Sequence, residues 1–194
     1  MKIFFDTEFT GLHKDTTLIS IGLVDENDRT FYAEFMDYDK SQVDDWIENN
    51  VISHLTLGNY EHYGFVINNT FACGSKEYVR QKLEKWLEDY DEVQLVSDCC
   101  HYDMVLLIDI WGHAFNIPKK INPACHDINQ DIAKDFNVSE AAAFDMSRED
   151  ILNSYNEIVK DKWPDDVIEI NGNKHNALYD ARVIKEIYKI THFL

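Results

Sequence analysis

A chain of 194 residues, 45% hydrophobic and 13% aromatic, can bury one proper core and is short for two, so residues 1–194 read as a single domain. Seven Gly and three Pro exclude a flexible linker or disordered tail. No apolar run approaches the roughly 20 residues that span a bilayer, and the acid at Asp6 comes too early for a signal peptide, which predicts a soluble cytoplasmic chain with no membrane partner.

Asp and Glu number 36 against 18 Lys and Arg, a formal charge of −18. A binding mode that rests on a broad basic stripe is therefore excluded. Any phosphate-bearing ligand would have to be short, or be met by bound metal ions. Most of the excess acid is a solubilising surface.

In chain order, residues 2–6 form a short strand ending in acid. Residues 17–24 and 30–35 are β-rich runs parted by the turn-prone Asp25-Glu26-Asn27-Asp28, which predicts an antiparallel meander. Ser41 reads as a helix cap with Asp44 three residues on, and Ser75 as another, ahead of Val79, Leu83, Trp86 and Leu87 at helical spacing. Residues 93–97 are a strand, and 101–111 an apolar helix stopped by Gly112. Pro118 and Pro123 mark a loop, and 125–128 a weakly signalled edge strand. Helices are expected near 128–136 and from Ser147 to Val159, then a loop over 163–173. The last helix, 176–190, sets Leu178, Ala181, Ile184 and Ile187 on one face. This order is a mixed α/β fold.

The cysteines form no C-x-x-C pair, which points to reduced thiols. Cys99-Cys100-His101 and Cys125-His126 offer zinc-type donors, but their spacing is poor for converging on one ion. Buried small hydrophobes are the simpler reading, and Tyr and Trp are assigned to the core except where named below.

Asp6 and Glu8 are i and i+2 in a strand, so both carboxylates leave the same face. Two like charges side by side are costly unless a cation sits between them, and hard divalent cations prefer such oxygens. A strand end with two acids is common, so this pair alone decides little. Asp103 opens an apolar helix right after a strand, with Asp98 as its rival. Asp180 lies between Leu178 and Ala181, where packing needs no carboxylate, and His175 precedes it by five residues. Each has a plain alternative: helix-dipole acids for Asp103 and Asp180, a loop residue for His175.

Together, Asp6-Thr7-Glu8-Phe9-Thr10-Gly11-Leu12, Tyr102-Asp103 and His175-Asn176-Ala177-Leu178-Tyr179-Asp180-Ala181 resemble the DEDDh exonuclease superfamily, which includes ribonuclease T and proofreading exonucleases. The match runs over essentially the whole chain and is most similar to a small bacterial and phage 3′→5′ exoribonuclease family. The resemblance implies a ribonuclease H-like α/β fold with a mixed five-stranded sheet, three antiparallel strands first, flanked by helices. It implies that Asp6, Glu8, Asp103 and Asp180 hold two divalent cations, Mg²⁺ or Mn²⁺, and that His175 is the general base. It also places Phe9, Thr10, Leu12 and Tyr102 at the substrate, a base stacking on an aromatic being worth about 1–3 kcal/mol; for Phe9 and Leu12, packing in the core is the competing assignment. The middle block departs from the usual pattern, Cys99-Cys100-His101-Tyr102-Asp103 standing where His-Asn-x-x-Phe-Asp is more common, so the third carboxylate is the least secure.

The implied activity is metal-dependent hydrolysis of single-stranded RNA from its 3′ end to nucleoside 5′-monophosphates, with DNA as the other candidate substrate. Two alternatives stand beside it: a dinucleotide or short-oligonucleotide hydrolase, which the acidity would suit, and a non-catalytic acidic module that mimics nucleic acid. A homodimer stays open; no apolar seam demands one.

Overall fold

The computed structural model describes residues 1–193. Seven strands make one sheet: β1 (Lys2–Phe9), β2 (Leu18–Asp25), β3 (Thr30–Phe35), β4 (His62–Val66), β5 (Asn69–Gly74), β6 (Gln94–Ser97) and β7 (His126–Asp127), in the order β4-β5-β3-β2-β1-β6-β7. The helices are α1 (Asp45–Asn50), α2 (Lys76–Leu87), α3 (Cys100–Ile110), α4 (Ile128–Asp135), α5 (Glu140–Asp145), α6 (Arg148–Val159) and α7 (Ala177–Phe193). β1, β2 and β3 pair antiparallel as expected, while β6 and β7 join β1 in parallel.

The expected five strands are thus seven. The additional pair is the β4–β5 hairpin, whose β5 lies parallel to β3. Its alternation is weak because β4 is an edge with exposed Tyr63, Phe65 and Val66, so no buried face writes a period into the sequence. The helix over the Ser41 region is also corrected. Ser41 lies in a 3₁₀ turn capped by Asp39, and α1 starts later, where Asp44 accepts from the Ile47 amide. Ser75 does cap α2, accepting from the Tyr78 amide. The short α5, capped by Ser139, is a further helix beyond those expected.

Every residue of β2 and β3 is buried, which is what strands covered on both faces look like. On one face Ile3, Phe5, Ile21, Phe31 and Leu95 pack with α2 and α3; on the other Phe4, Val24 and Val96 pack with α4, α6 and α7. Strand alternation then sets the facing of the acids in β1. Asp6 and Glu8 share the parity of Phe4 and look toward α7, and Thr7 shares that of Phe5 and looks toward α3.

One glycine governs how close α7 comes. Gly22 pairs in register with Asp6, and a Cβ there would sit 2.3 Å from the Ala177 carbonyl and the Leu178 nitrogen. The bare backbone of β2 lets the first turn of α7 rest on the sheet opposite Asp6. Among the described residues no helix is long and apolar enough to cross a membrane.

Candidate active site

The carboxylates meet where β1 and β6, parallel neighbours, both end. This is the crevice beyond the carboxyl ends of strands where α/β sheets place ligands. A cleft of about 470 Å³ opens there, lined by Asp6, Glu8, Asp98, Asp103, His175 and Asp180, among others. One oxygen each from Asp6, Asp98 and Asp103 can be chosen within 4.8 Å of one another, and likewise donor atoms from Glu8, His175 and Asp180. The residues expected from distant parts of the chain are therefore brought together.

Each is held by its own element. Asp103, in the first turn of α3, is wholly buried. Its Oδ1 accepts from the Thr7 amide at 3.2 Å and the Thr7 hydroxyl at 2.5 Å, and its Oδ2 from the Ser97 hydroxyl. Asp180 accepts from the His175 amide at 2.8 Å. His175 sits in the left-handed region at φ 62°, just ahead of α7. Asn176 caps that helix, its Oδ1 taking the Tyr179 amide, while its Nδ2 donates to the Tyr32 hydroxyl and the His54 carbonyl. The His175 ring lies 4.0 Å from Glu8 Oε1, and Trp46 of α1 meets its face edge-on at 5.1 Å. Trp46 is 55% exposed, so its assignment to the core is corrected.

Asp98 and Asp103 both line the cleft, and their partners separate them. Asp98 accepts from Arg148 Nε at 3.0 Å. Arg148 also donates to the Ala143 and Met146 carbonyls and to Asn129, so its guanidinium acts as a brace between these segments. Arg148 and Lys174 are cationic residues at the cleft that sequence reasoning missed. Both fall in segments where a lone basic residue carries no pattern.

The electrostatics of the bare cleft are adverse. Burial raises Asp6 and Glu8 well above the usual carboxylate range, helped by the neighbouring acids. Burial likewise raises Asp103 and Asp180 to about 7. His175 is lowered by burial and by the positive charge of Lys174. Asp6 Oδ2 is buried and has no hydrogen-bond partner. An unpaired buried carboxylate oxygen beside further acids costs free energy unless a cation or proton joins it. All-oxygen donors of this kind suit hard divalent cations such as Mg²⁺ and Mn²⁺, so the residues present fit the ions that the resemblance implies.

The four residues expected at the substrate divide. Phe9 lines the cleft and stacks on Tyr102 at 5.2 Å and 13°. Thr10 is buried instead, its hydroxyl accepting from the Thr17 amide and adjoining Gln42. Leu12 is 75% exposed on the turn beyond, so the competing assignment to the core fails for it. Of the zinc-type donors only Cys100 and Cys125 meet, their sulfurs 3.0 Å apart; all four cysteines are free, and among the described residues none joins a cluster of three metal-ligating groups.

The mixed sheet, with acids gathered at the ends of β1 and β6 beside a histidine ahead of α7, is a ribonuclease H-like fold. Residues 1–191 match the model of the Rv2179c-like 3′-5′ exoribonuclease domain. The chain belongs to that family and is an exonuclease, which sets aside the non-catalytic acidic module. The 3′-5′ exoribonuclease Rv2179c of Mycobacterium tuberculosis (strain ATCC 25618 / H37Rv) is 26% identical over 132 residues, 67% of this chain and 73% of that protein. Among solved structures, the nuclease domain of 3′hExo bound to rAMP, a DEDDh family member, superposes with a TM-score of 0.61 at 12% identity, covering 96% of this chain and 88% of that one. S. pombe Pop2p in a form with Mg²⁺ and Mn²⁺ bound gives 0.58 at 16% identity, covering 99% and 84%.

Proposed function

We propose that this chain trims single-stranded RNA from its 3′ end, releasing nucleoside 5′-monophosphates, with Asp6, Glu8, Asp103 and Asp180 as the ligands of divalent cations and His175 as general base. One observation carries the reading: the buried, partnerless Asp6 Oδ2 sits among further carboxylates beside a half-buried histidine. Such a cluster is costly to fold and gains its use when cations and a phosphate enter together. Mg²⁺ or Mn²⁺ supplies Lewis-acid charge there, acidifying water and offsetting the charge of the scissile phosphate.

The chain's own residues do the rest. His175 takes a proton from the attacking water at a ring nitrogen. Burial and Lys174 keep its ring neutral near pH 7 and so able to accept. The left-handed backbone at His175 and the 2.8 Å bond from its amide to Asp180 hold the ring at the rim of the cleft. Trp46 limits its rotation. Phe9, backed by Tyr102, offers a stacking face for the terminal base, and Lys174 a cation for a backbone phosphate. Thr10 acts on this segment indirectly, tying the turn of residues 10–17 together. Asp98 is assigned to bracing, through Arg148, rather than to direct ligation. The free thiols suit a reducing, cytoplasmic compartment.

The reading is tested with 5′-labelled single-stranded RNA, a matched DNA and a dinucleotide, each with Mg²⁺, Mn²⁺ or EDTA. Expected is a metal-dependent ladder shortening from the 3′ end of RNA, faster than of DNA, and halted by a 3′-phosphate. Fastest turnover on the dinucleotide would replace this substrate by short oligomers. An Asp103→Asn variant as active as the wild type, beside an inactive Asp98→Asn, would transfer the third ligand to Asp98.

A further inference from the structure

A second cluster of metal-type donors lies outside the cleft, where β7, α4 and the far end of α7 meet. His126 of β7, Asp131 of α4 and His192 of α7 each present a donor atom within 4.8 Å of the other two. His126 Nε2 is 2.5 Å from Asp131 Oδ2, and His192 Nε2 is 3.8 Å from Asp131 Oδ1. The two imidazoles thus address opposite oxygens of one carboxylate. We propose that these three residues bind a borderline transition-metal ion, Zn²⁺ being the ion that their chemistry fits, and that the ion clips the end of α7 to the sheet edge.

Three features favour an ion over a plain hydrogen bond. First, His192 Nδ1 lies 2.9 Å from the Tyr188 carbonyl. A carbonyl only accepts, so Nδ1 carries a proton and Nε2, which faces Asp131, is the nitrogen left to ligate an ion, the arrangement by which proteins orient metal-binding histidines. Second, the rings are positioned by packing as well. His192 stacks on Tyr188 at 3.8 Å and 18°, and His126 stands edge-on to the same ring at 5.8 Å and 81°. Tyr188 is 8% exposed and gives both a fixed wall. Third, the side chains of His126 and Asp131 are 34% and 17% exposed, so an ion reaches the site without unfolding.

The donor set separates this site from the cleft. Two imidazoles and one carboxylate suit Zn²⁺, with Nε2 and oxygen at roughly 2.0–2.2 Å and a water in the fourth position. The all-carboxylate cleft suits Mg²⁺ or Mn²⁺. Donors at these bond lengths around a tetrahedral ion lie about 3.3 Å apart, so His126 Nε2 and Asp131 Oδ2, at 2.5 Å, open slightly to admit the ion while His192, at 3.8 Å, closes in, which the end of a helix allows. Because the ligands come from three separated elements, the bound ion holds α7 against β7 and α4.

The experiment measures Zn²⁺ binding by equilibrium dialysis and by thermal shift, with excess Mg²⁺ and in an Asp6→Asn/Asp180→Asn background that disables the cleft. Expected is one equivalent of Zn²⁺ and a rise in Tm of about 5–10 °C at a hundredfold excess over Kd. Both should be lost in His192→Ala and His126→Gln and kept in Cys100→Ser. With the cleft intact, those histidine variants should keep Mg²⁺-dependent exonuclease activity, and Mg²⁺ alone should not raise Tm through this site. Zn²⁺ binding that survives both histidine substitutions, or that disappears in Cys100→Ser, overturns the proposal. So does no bound Zn²⁺ at all in the wild-type chain, which would leave His126 and Asp131 as a simple hydrogen-bonded pair.

Discussion

Opposite ends of the same strands treat buried charge in opposite ways. At the β2–β3 turn, Lys185 of α7 is 1% exposed, yet its ammonium donates to the Asp25 and Glu26 carbonyls and to Asp28 at 2.7 Å. Asp25 there accepts from the Asn27 and Arg29 amides and from the Tyr90 hydroxyl. Its lone pairs are used, and this polar cluster ties α7 and the segment after α2 to a turn. At the cleft, Asp6, Glu8 and Asp180 converge without enough donors, and Asp6 Oδ2 has none. The first arrangement serves the fold and the second is completed only by what binds. The difference lies in the partners each carboxylate is given, since both ends are buried.

Substitutions should pull these regions apart. The largest effect is expected at the cleft: Asp6→Asn or Asp180→Asn should lower kcat on 5′-labelled RNA by about a thousandfold or more, since cation-assisted charge stabilisation is worth several kcal/mol, while Tm in EDTA stays level or rises. His175→Ala should cost about 10²–10⁴ in kcat with Mg²⁺ affinity retained in calorimetry. Lys185→Met should show the reverse profile, losing about 2–3 kcal/mol of stability in urea unfolding with kcat per folded molecule unchanged. If Lys185→Met abolished kcat in folded protein, or Asp180→Asn unfolded the chain, the contrast would collapse.

A gentler test uses pH. Asp103 and Asp180 have folded-state values raised to about 7 against unfolded values near 4. A carboxyl raised on folding binds more protons folded than unfolded, so its contribution is most favourable at low pH and is lost as pH rises from about 4 to about 7. In EDTA, thermal stability should therefore fall across that window, beyond any change in Asp6→Asn/Asp180→Asn. Mg²⁺ should flatten the slope, because bound cations hold the carboxylates ionised, and its binding near pH 6 should release protons. A pH slope unchanged by Mg²⁺ would contradict the site.

The end of β1 and the turn beyond it sharpen the contrast from the substrate side. Phe9 lines the cleft on the support of Tyr102, whereas Leu12 stands in solvent and Thr10 faces inward, although the three are near neighbours in sequence. The irregularity between Glu8 and Phe9 in the β1–β2 pairing and Gly11 at φ 151° break the strand's alternation there. Spacing arguments that hold for Asp6 and Glu8 therefore lapse within four residues.

What the sequence by itself determined was whatever depends on neighbours along the chain. The i, i+2 spacing of Asp6 and Glu8 needs only strand geometry, the Ser75 cap only a local hydrogen bond, and the antiparallel meander only short turns between β-rich runs. The blocks around Asp6, Tyr102 and His175 carried the family because their order and types survive without the fold. What only the tertiary structure decided was which distant groups meet. In the sequence only the resemblance around Tyr102-Asp103 favours Asp103 over its rival Asp98, and in the fold Thr7, Ser97 and Arg148 give the two different surroundings. The β4–β5 hairpin takes its place from parallel pairing with β3, and Trp46 of α1 meets His175 from a distant part of the chain. His126, Asp131 and His192 converge through three separate elements. None of these contacts leaves a period or a short-range pattern, because the free energy that forms them comes from burying surfaces far apart in the chain.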